Sequence, residues 1–390
     1  MSDSLARDLV TWRRHLHSHP ELSFHEFETA AYIERQLRDM GLNPRRIAQT
    51  GVYVDIALQP GDAMVAVRAD IDALPLTEAT GLPYKSQNPG VMHACGHDGH
   101  TAIALGVVRR LLDLRASGRD AHGTVRVFFQ PAEEAPPGGA LDMIRDGVLE
   151  GVKAVIGLHL WSFLPVGLAG ISYGPLTANA DLFAVNVIGK GGHGALPHKS
   201  VDALLVACEL VQRFQTIVSR QTDPLEPAVI TVGSLHAGTS HNIIADTAQL
   251  TGTVRTTSDD ARRVIREQLE RSSQAICEMY GARADFSWTD GYPAVVNNEA
   301  VARVLEQVCQ EELGGELVEH VRPTMVGEDF AHYLRDKPGA FLVLGVADAD
   351  LQSDYPHHHP RFTIAERMLE PGVDILTETA LRLLSAKLTD

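Results

Sequence analysis

Several features that would assign a protein to a specialised class are missing from this sequence. Its four cysteines are scattered and form no Cys-x-x-Cys pair: Cys95, Cys208, Cys277 and Cys309. This spacing argues against a disulfide framework and against a four-cysteine structural zinc site. No uncharged apolar run is long enough to span a bilayer, and no basic segment followed by an apolar run opens the chain. We therefore expect a cytoplasmic protein.

Basic charge is also scarce. The chain has 34 Lys and Arg against 50 Asp and Glu, which gives a formal net charge of -16. Such a surface repels phosphate backbones, so we expect no nucleic-acid partner and no binding to anionic membranes. The length of 390 residues, with 44% hydrophobic and 22% charged content, is typical of a folded protein with two domains.

Helical and extended patterns alternate along most of the chain, which predicts an α/β layered domain. We predict helices over 4–40 (broken at His19-Pro20), 99–116, 300–313 and 366–387, and strands near 53–58, 64–67, 125–129, 154–158 and 341–344.

The middle of the chain follows a different order. Strands near 182–188, 228–235, 248–256 and 284–288 and helices near 201–218 and 259–280 give β-α-β-β-α-β, the ferredoxin-like unit. Gly174-Pro175 and Gly291-Tyr292-Pro293 flank this segment with hinge-forming residues. We predict a discontinuous catalytic, metal-binding domain of residues 1–177 and 291–390, with a lid or dimerisation domain of residues 178–290 inserted into it.

The block Met92-His93-Ala94-Cys95-Gly96-His97-Asp98-Gly99-His100 concentrates one thiol, three imidazoles and one carboxylate before a helix. A thiolate and an imidazole two residues apart can converge on one metal pair. The alternative is a polar loop that caps the helix. We favour the metal site.

A second segment, Val127-Phe128-Phe129-Gln130-Pro131-Ala132-Glu133-Glu134, is an apolar strand that ends in paired carboxylates. Catalytic groups of open α/β sheets gather at the carboxyl ends of strands. Adjacent glutamates point in different directions, so one can bind a metal while the other handles a proton. A lone Glu-Glu pair would more simply be an acidic surface turn.

Three further segments place metal-binding or acidic side chains near strand ends. His159 follows an apolar run, Asp70 and Asp72 follow another, and His357-His358-His359 lies near the C-terminus. Together the segments supply Cys, His, Glu, His and His around one cleft. That set is typical of a binuclear hydrolytic site, whereas a structural zinc site is closed and rich in cysteine.

In order and spacing, these motifs resemble the hippurate hydrolase and auxin-conjugate amidohydrolase branch of the aminoacylase and carboxypeptidase G-type metallohydrolases. The resemblance covers essentially the whole chain. It is carried by residues 13–23, 68–75, 95–100 and 129–134, and by Gly191-Gly192-His193-Gly194-Ala195, Asn242-Ile243-Ile244 and His358-His359-Pro360. It implies a zinc-peptidase-like catalytic domain with a mixed sheet.

The resemblance also implies a role for each motif residue. The metal ligands would be Cys95, His97, Glu134, His159 and His358. Glu133 would be the general base and His193 the oxyanion donor. Asn242 would contact the substrate, and the carboxylate of Asp70 would orient one of the metal ligands. Spacing alone would favour His193 as a solvated turn residue. Arg68 stands where the wider superfamily has a metal-binding histidine, and His97 is expected to replace that imidazole.

The implied enzyme holds two divalent ions per subunit, of Zn, Mn, Co or Ni, and forms a homodimer or homotetramer. It would hydrolyse the amide bond of a small N-acyl amino acid, either hippurate-like or N-acetylated. One alternative is a dipeptidase or carboxypeptidase on the same scaffold. Another is a metal-dependent binding module that has lost catalysis, which the presence of Glu133 disfavours.

Overall fold

The chain divides into two compact units in the computed structural model, which describes residues 2–387, with side chains from residue 4 onward. The larger unit comprises the chain up to Leu176, Val295–Arg322 and the residues from Asp329 onward. The smaller unit comprises Thr177–Ala294 and Pro323–Glu328.

The helices are distributed over both units. They are α1 Ser2–Ser18, α2 Phe27–Asp39, α3 His97–Ala116, α4 Ala140–Arg145, α5 Ala203–Gln221, α6 Asp259–Met279, α7 Glu299–Leu313, α8 Ala331–Asp336 and α9 Leu369–Ser385. None of the helices within residues 2–387 has both the length and the apolarity needed to cross a membrane.

The strands are β1 Arg45–Ile47, β2 Gly51–Ala57, β3 Gln59–Asp70, β4 His122–Gln130, β5 Ala154–Pro165, β6 Ala169–Ile171, β7 Gly174–Pro175, β8 Asn179–Ile188, β9 Gly192–His193, β10 Ala228–Ala237, β11 Ile243–Ile244, β12 Thr247–Thr256, β13 Arg283–Tyr292, β14 Val296–Asn297, β15 Val318–His320 and β16 Gly339–Ala347.

The larger unit is built on an eight-stranded mixed sheet in the order β1-β2-β4-β3-β5-β16-β6-β15. The central strands β4, β3, β5 and β16 are parallel, while β1, β2 and the β16–β6 pair are antiparallel. After β3 the chain passes through α3 to β4 on one side of β3, and later reaches β5 on the other side. Such a reversal opens a crevice at the carboxyl ends of the strands, the usual place for a ligand.

Apolar side chains cover both faces of this sheet, which explains why its central strands have few polar residues. One face packs against α1, α2, α3, α7 and α9 through a cluster that includes Leu9, Val67, Ile103 and Val373. The other face packs against α4 and α8 through Phe128, Met143 and Phe341, among others. The α/β fold with a mixed sheet that the sequence predicts is confirmed.

The smaller unit has the element order β8-α5-β10-β12-α6-β13, which is β-α-β-β-α-β. Its four strands form one antiparallel sheet in the order β10-β12-β8-β13. Burial alternates strictly along β8, and Phe183, Val185 and Val187 face a core shared with α5 and α6. The order is therefore the one the sequence predicts.

The boundaries of the smaller unit differ from the predicted range of 178–290. The main segment of this unit is Thr177–Ala294, so residue 177 and residues 291–294 belong to it and not to the catalytic domain. Pro323–Glu328 also belongs to the smaller unit, although it was placed in the catalytic domain. The backbone N–H of Ala178 donates to the carbonyl of Val326 at 3.0 Å, so this segment is held beside the start of β8. The Gly174-Pro175 segment forms a short strand paired with Val296–Asn297.

Candidate metal centre

The Cys95 loop enters α3 through a sharp turn. Gly96 adopts φ +99°, a left-handed conformation that a side chain would disfavour, and His97 is then the first residue of the helix. Asp98 in the first helical turn accepts a hydrogen bond from Arg13 Nε at 2.8 Å and is bonded to His17 Nδ1 at 2.8 Å. These buried bonds fix the depth at which Cys95 and His97 enter the crevice.

The ring of His97 has a defined orientation. Its Nδ1 lies 2.9 Å from the backbone carbonyl oxygen of Asp72 and 3.2 Å from Asp72 Oδ1, both acceptors. Because Nδ1 donates to these acceptors, the neutral form of the ring has its lone pair on Nε2, on the side of the crevice. This Nε2 is buried and makes no hydrogen bond to any of the described residues.

The two neighbouring glutamates follow β4 through a turn in which Ala132 has φ +53°. Glu134 Oε1 lies 3.9 Å from His97 Nε2, and like that nitrogen it is buried without a hydrogen-bond partner. Glu133 is 6% exposed, with its Oε2 also 3.9 Å from His97 Nε2. Both carboxylates thus reach the same part of the crevice.

The sequence had indicated that His159 follows the end of a strand. In the structure His159 lies within β5, which continues to Pro165. β5 parts from β3 after Gly157 and continues along β16, with His159 opposite Val343. His159 Nδ1 donates to the carbonyl of Leu160 at 2.9 Å, and its Nε2 lies 3.6 Å from Cys95 Sγ. The separation of the two strands leaves room for the imidazole at the crevice.

His358 completes the set of donors from the C-terminal part of the chain. It adopts φ +64°, its N–H donates to the carbonyl of Ala94 at 2.8 Å, and its Nε2 lies 3.2 Å from Glu134 Oε1. The structure therefore brings together all five predicted ligands and the predicted base.

The donor set fits divalent metal ions. Ligand atoms of Cys95, His97 and Glu134 lie within 4.8 Å of one another. Buried polar atoms are normally hydrogen-bonded, but His97 Nε2 and Glu134 Oε1, 3.9 Å apart, make no hydrogen bond of normal geometry within the described residues, which is expected of atoms that bind a metal. Thiolate, imidazole and carboxylate together suit zinc and neighbouring transition metals.

Local electrostatics support the same fit. Burial by itself lowers the pKa of His97, but Asp70, Asp72 and Glu134 outweigh it and raise that pKa to about 10. Burial, then Glu134 and Glu133, raise the pKa of the Cys95 thiol well above its ordinary value. Anionic surroundings that hold protons on His97 and Cys95 also attract cations, and a bound metal would displace those protons.

Two further histidines lie close to the donors but have both ring nitrogens occupied. His100 Nδ1 donates to Asp70 Oδ1 at 2.6 Å, and its Nε2 accepts from the N–H of Leu160 at 2.9 Å. His357 is bonded to Ser162 Oγ at 3.1 Å and to the carbonyl of Leu160 at 2.9 Å. These two rings therefore support the backbone next to His159 and are not free to bind a metal.

The carboxylate bonded to His97 belongs to Asp72, whereas the sequence analysis assigned a ligand-orienting role to Asp70. Asp70 bonds to His100 and lies 3.7 Å from His97 Nε2. Sequence reasoning missed the roles of Asp72 and His100. Both residues belong to motifs that had been singled out, but nothing in the spacing distinguished which acid would face which imidazole.

The predicted residues of the smaller unit lie side by side. His193 in β9 pairs with Ile243 in β11, next to Asn242, whose carbonyl accepts from the N–H of Gly194 at 2.9 Å. Both side chains are exposed. His193 Nδ1 accepts from the N–H of Ala195 at 3.0 Å, so its Nε2 carries the proton and can donate.

Residues 66–382 match the pattern that defines the peptidase family M20/M25/M40. The chain belongs to this family. Among its relatives is the N-acetyl-L-cysteine deacetylase of Bacillus subtilis, 41% identical over 98% of this chain and 90% of the relative. The N-acyl-L-amino acid amidohydrolase of Geobacillus stearothermophilus is 46% identical over 76% of this chain and 79% of its own. A crystal structure of a dinuclear metal-binding M20 peptidase from Bacillus subtilis matches with a TM-score of 0.87, 35% identity, and coverage of 99% of this chain and 100% of the other.

Arg68 gives this M20 protein a fixed cation beside its candidate metal centre. The buried guanidinium donates to Asp70 Oδ2 at 2.6 Å, Gln130 Oε1 at 2.9 Å and Asp329 Oδ1 at 2.9 Å. Burial opposes ionisation of Asp70, but His97, His100 and Arg68 lower its pKa well below the ordinary value. Arg68 therefore holds Asp70 as the anion that His100 needs as its acceptor.

Proposed function

We propose that this M20 hydrolase is a metal-dependent amidohydrolase that cleaves N-acyl amino acids into a carboxylic acid and a free amino acid. One observation carries the proposal. Within the described part of the chain, the buried Nε2 of His97 and Oε1 of Glu134 make no hydrogen bond, apart from the 3.2 Å contact of Glu134 with His358, and both lie with Cys95 in one cluster of metal donors. The two amidohydrolase relatives described above support the choice of substrate class.

In this proposal Cys95, His97, Glu134, His159 and His358 hold a pair of divalent ions, of Zn, Mn, Co or Ni. When bound, such ions lower the pKa of a water and polarise the substrate carbonyl. The proposal of two ions is supported by the dinuclear metal-binding M20 peptidase described above.

Glu133 is the proposed general base. Its carboxylate takes a proton from the attacking water, whose oxygen adds to the carbonyl carbon of the amide. The same carboxyl group then returns the proton to the amide nitrogen as the C–N bond breaks, which releases the amino acid. Glu133 is nearly buried and lies beside His97, so it can reach a water at the metal donors.

We propose that residues of the smaller unit contact the developing oxyanion and the substrate. His193 Nε2–H is the proposed donor to the oxyanion, in cis or from a neighbouring subunit of a homo-oligomer. Asn242, its neighbour across the β9–β11 pair, offers an amide for polar contact with the substrate. Homo-oligomerisation and a cytoplasmic location are likewise part of the proposal.

For the acyl group we propose an aromatic, hippurate-like preference, typical of the hippurate and auxin-conjugate branch. Successive odd residues of β5 share one face of the strand, and His159, Trp161 and Phe163 therefore lead outward from the donors. The rings of Trp161 and His159 are 5.2 Å apart, and those of Trp161 and Phe163 are 5.6 Å apart. Phe163 is 61% exposed, so an apolar acyl group would gain contact there.

The competing function is a dipeptidase or carboxypeptidase on the same scaffold. This alternative is consistent with the description of the family as a peptidase family. The two activities differ in the group next to the scissile bond, since a dipeptide carries a free α-amino group and an N-acyl amino acid does not. A substrate panel therefore separates them.

The test begins with protein stripped by a chelator and reloaded with Zn, Mn, Co or Ni. We expect the stripped protein to be inactive, and the reloaded protein to hydrolyse N-acetyl and N-benzoyl amino acids faster than dipeptides. Metal content is measured on each sample, and Glu133→Gln serves as the matched inactive control. Faster cleavage of dipeptides would favour the peptidase, and full activity in protein shown to be free of metal would exclude the proposal.

A further inference from the structure

The turn that carries Glu133 and Glu134 has a conformation that its sequence does not favour. Ala132 lies in the left-handed region at φ +53°, which is unfavourable for a residue with a Cβ. Its carbonyl accepts from the N–H of Gly139 at 3.0 Å. A Cβ on Gly139 would lie 2.0 Å from the carbonyl oxygen of Pro131, so the turn is also tightly packed. Something must hold this turn in place.

Glu26 binds the turn from the opposite side. It precedes α2, is completely buried, and has three neutral hydrogen-bond donors. Glu26 Oε1 accepts from the N–H of Ala132 at 2.8 Å and from that of Phe24 at 2.9 Å, and Oε2 accepts from Thr50 Oγ1 at 2.7 Å. The N–H of the left-handed residue is therefore held by a carboxylate.

Asp72 provides a matching contact two residues further along. It is 1% exposed, and its Oδ2 accepts from the N–H of Glu134 at 3.0 Å and from Ser23 Oγ at 2.6 Å. The backbone on each side of Glu133 is thus bound by a buried carboxylate, Glu26 before it and Asp72 after it. Both contacts involve the segment from Ser23 to Glu26, through Ser23 in one case and Glu26 in the other.

We propose that Glu26 is a positioning residue for the general base, acting on Glu133 through the N–H of Ala132. The inference rests on the proposed function, because it needs Glu133 to be the base. Hydrogen bonds to an ionised acceptor are about twice as strong as neutral ones, so a carboxylate holds a disfavoured turn better than an amide would. By fixing the turn, Glu26 sets the direction in which the Glu133 side chain leaves the backbone.

Ionisation of Glu26 destabilises the folded state. Burial first, and then the nearby Asp72, raise the pKa of Glu26 to about 7. A neutral glutamine could accept both backbone hydrogen bonds at its amide oxygen without the cost of burying a charge. The expense is understandable if the carboxylate holds the backbone of the catalytic turn more firmly than a neutral group can.

The first test compares two substitutions of similar volume in metal-loaded enzyme. Glu26→Met removes the acceptors, and we expect kcat to fall about 10- to 100-fold with KM within threefold and metal content unchanged. Glu26→Gln retains an acceptor and should recover most of that loss, with kcat within about threefold of wild type. The control is Glu21→Gln, because Glu21 accepts from the N–H of Thr29 at 2.8 Å in the same segment but does not contact the turn. We expect kcat of this control to stay within twofold of wild type.

A double-mutant cycle keeps the inference testable even where Glu26→Met does not fold. If Glu26 acts through Glu133, then Glu26→Gln should lower kcat about threefold in the wild type and not at all in Glu133→Gln. An equal loss in both backgrounds, or a folded Glu26→Met enzyme with wild-type kcat, would overturn the inference. Wild-type enzyme that hydrolyses no N-acyl amino acid at all would instead overturn the proposed function, so the two failures are distinguishable.

Discussion

The two units hold their candidate functional residues in opposite ways. In the larger unit, His97 and Glu133 are buried, and the ring of His97 is fixed by Asp72. In the smaller unit, His193 and Asn242 are exposed, and each accepts one local hydrogen bond, His193 Nδ1 from the N–H of Ala195 and Asn242 Oδ1 from Ser240 Oγ. The larger unit has already immobilised its groups before a substrate arrives, whereas the two side chains of the smaller unit are exposed to solvent.

The preorganised groups are therefore those of the larger unit. Fixed, buried dipoles act strongly on a reaction because they need no rearrangement and little water screens them. We therefore expect substitutions at the buried centre to alter metal binding or the chemical step, and substitutions in the smaller unit to leave the metal in place.

The largest effect is expected from separating the neighbouring glutamates. Glu133→Gln should lower kcat by about 10²- to 10⁴-fold, the usual contribution of a general base, while it keeps its metal. Glu134→Gln should lose metal, because Glu134 provides an unpartnered buried oxygen at the donors. Steady-state kinetics and elemental analysis decide the matter, and the opposite outcome at the two positions would exchange their roles.

The next effect concerns the smaller unit. His193→Ala should raise the barrier by about 2.7–4 kcal/mol, the range for loss of one oxyanion donor, with metal content unchanged. Asn242→Ala should mainly raise KM. Mixed oligomers of Glu133→Gln and His193→Ala subunits would regain activity only if His193 acts in trans. A near-normal His193→Ala enzyme would remove His193 from the reaction.

A smaller effect should appear in the pH dependence of stability. The pKa of Glu26 is about 7 in the folded protein against an ordinary 4.5, so the folded state binds this proton more tightly than the unfolded state. The resulting stabilisation is present below pH 4.5 and is lost as the pH rises to 7. Relative to Glu26→Gln, the wild type should therefore lose up to about 3 kcal/mol of unfolding free energy over this range. Urea unfolding of metal-free protein at several pH values measures the loss, and a constant difference between the two proteins would contradict it.

The smallest effect is a helix cap in the smaller unit. Ser258 Oγ accepts from the N–H of Ala261 at 3.1 Å at the start of α6. Ser258→Ala should lower the unfolding free energy by about 1 kcal/mol. Metal content and kcat of the folded variant should match wild type. A loss of metal would contradict the assignment of metal binding to the larger unit alone.

Much of the fold followed from local signals. Alternating apolar patterns predicted the strands, Ser258 predicted the start of α6, and the order β-α-β-β-α-β is the one observed. The approach of Glu134 to the other donors also followed from the sequence, because parallel strands bring their carboxyl ends to one edge, whereas His159 reaches them from within β5. The catalytic and metal-binding roles of these residues stay predictions.

The supporting contacts could not be read in the same way. Glu26 meets the N–H of Ala132 across 106 positions of sequence, and Asp72 meets His97 across 25. From the sequence, Glu26 between α1 and α2 cannot be told from an acidic residue in a solvated turn, because its partner is distant along the chain. Likewise, Asp70 and Asp72 are equally suitable carboxylates on paper, and only the packing of α3 against β3 decides that His97 faces Asp72.

The discontinuity of the larger unit has a consequence for how the protein is made. The smaller unit is almost continuous, from Thr177 to Ala294, so nearly all of it has left the ribosome before β16 exists. The sheet of the larger unit needs β16 beside β5, and its apolar face needs α9 over α3. His358 follows β16 as well, so Cys95 and His97 are synthesised long before the last of the five proposed metal ligands. In the proposed centre the set of ligands is complete only after nearly the whole chain has been synthesised, and we therefore expect full metal loading to be a late event.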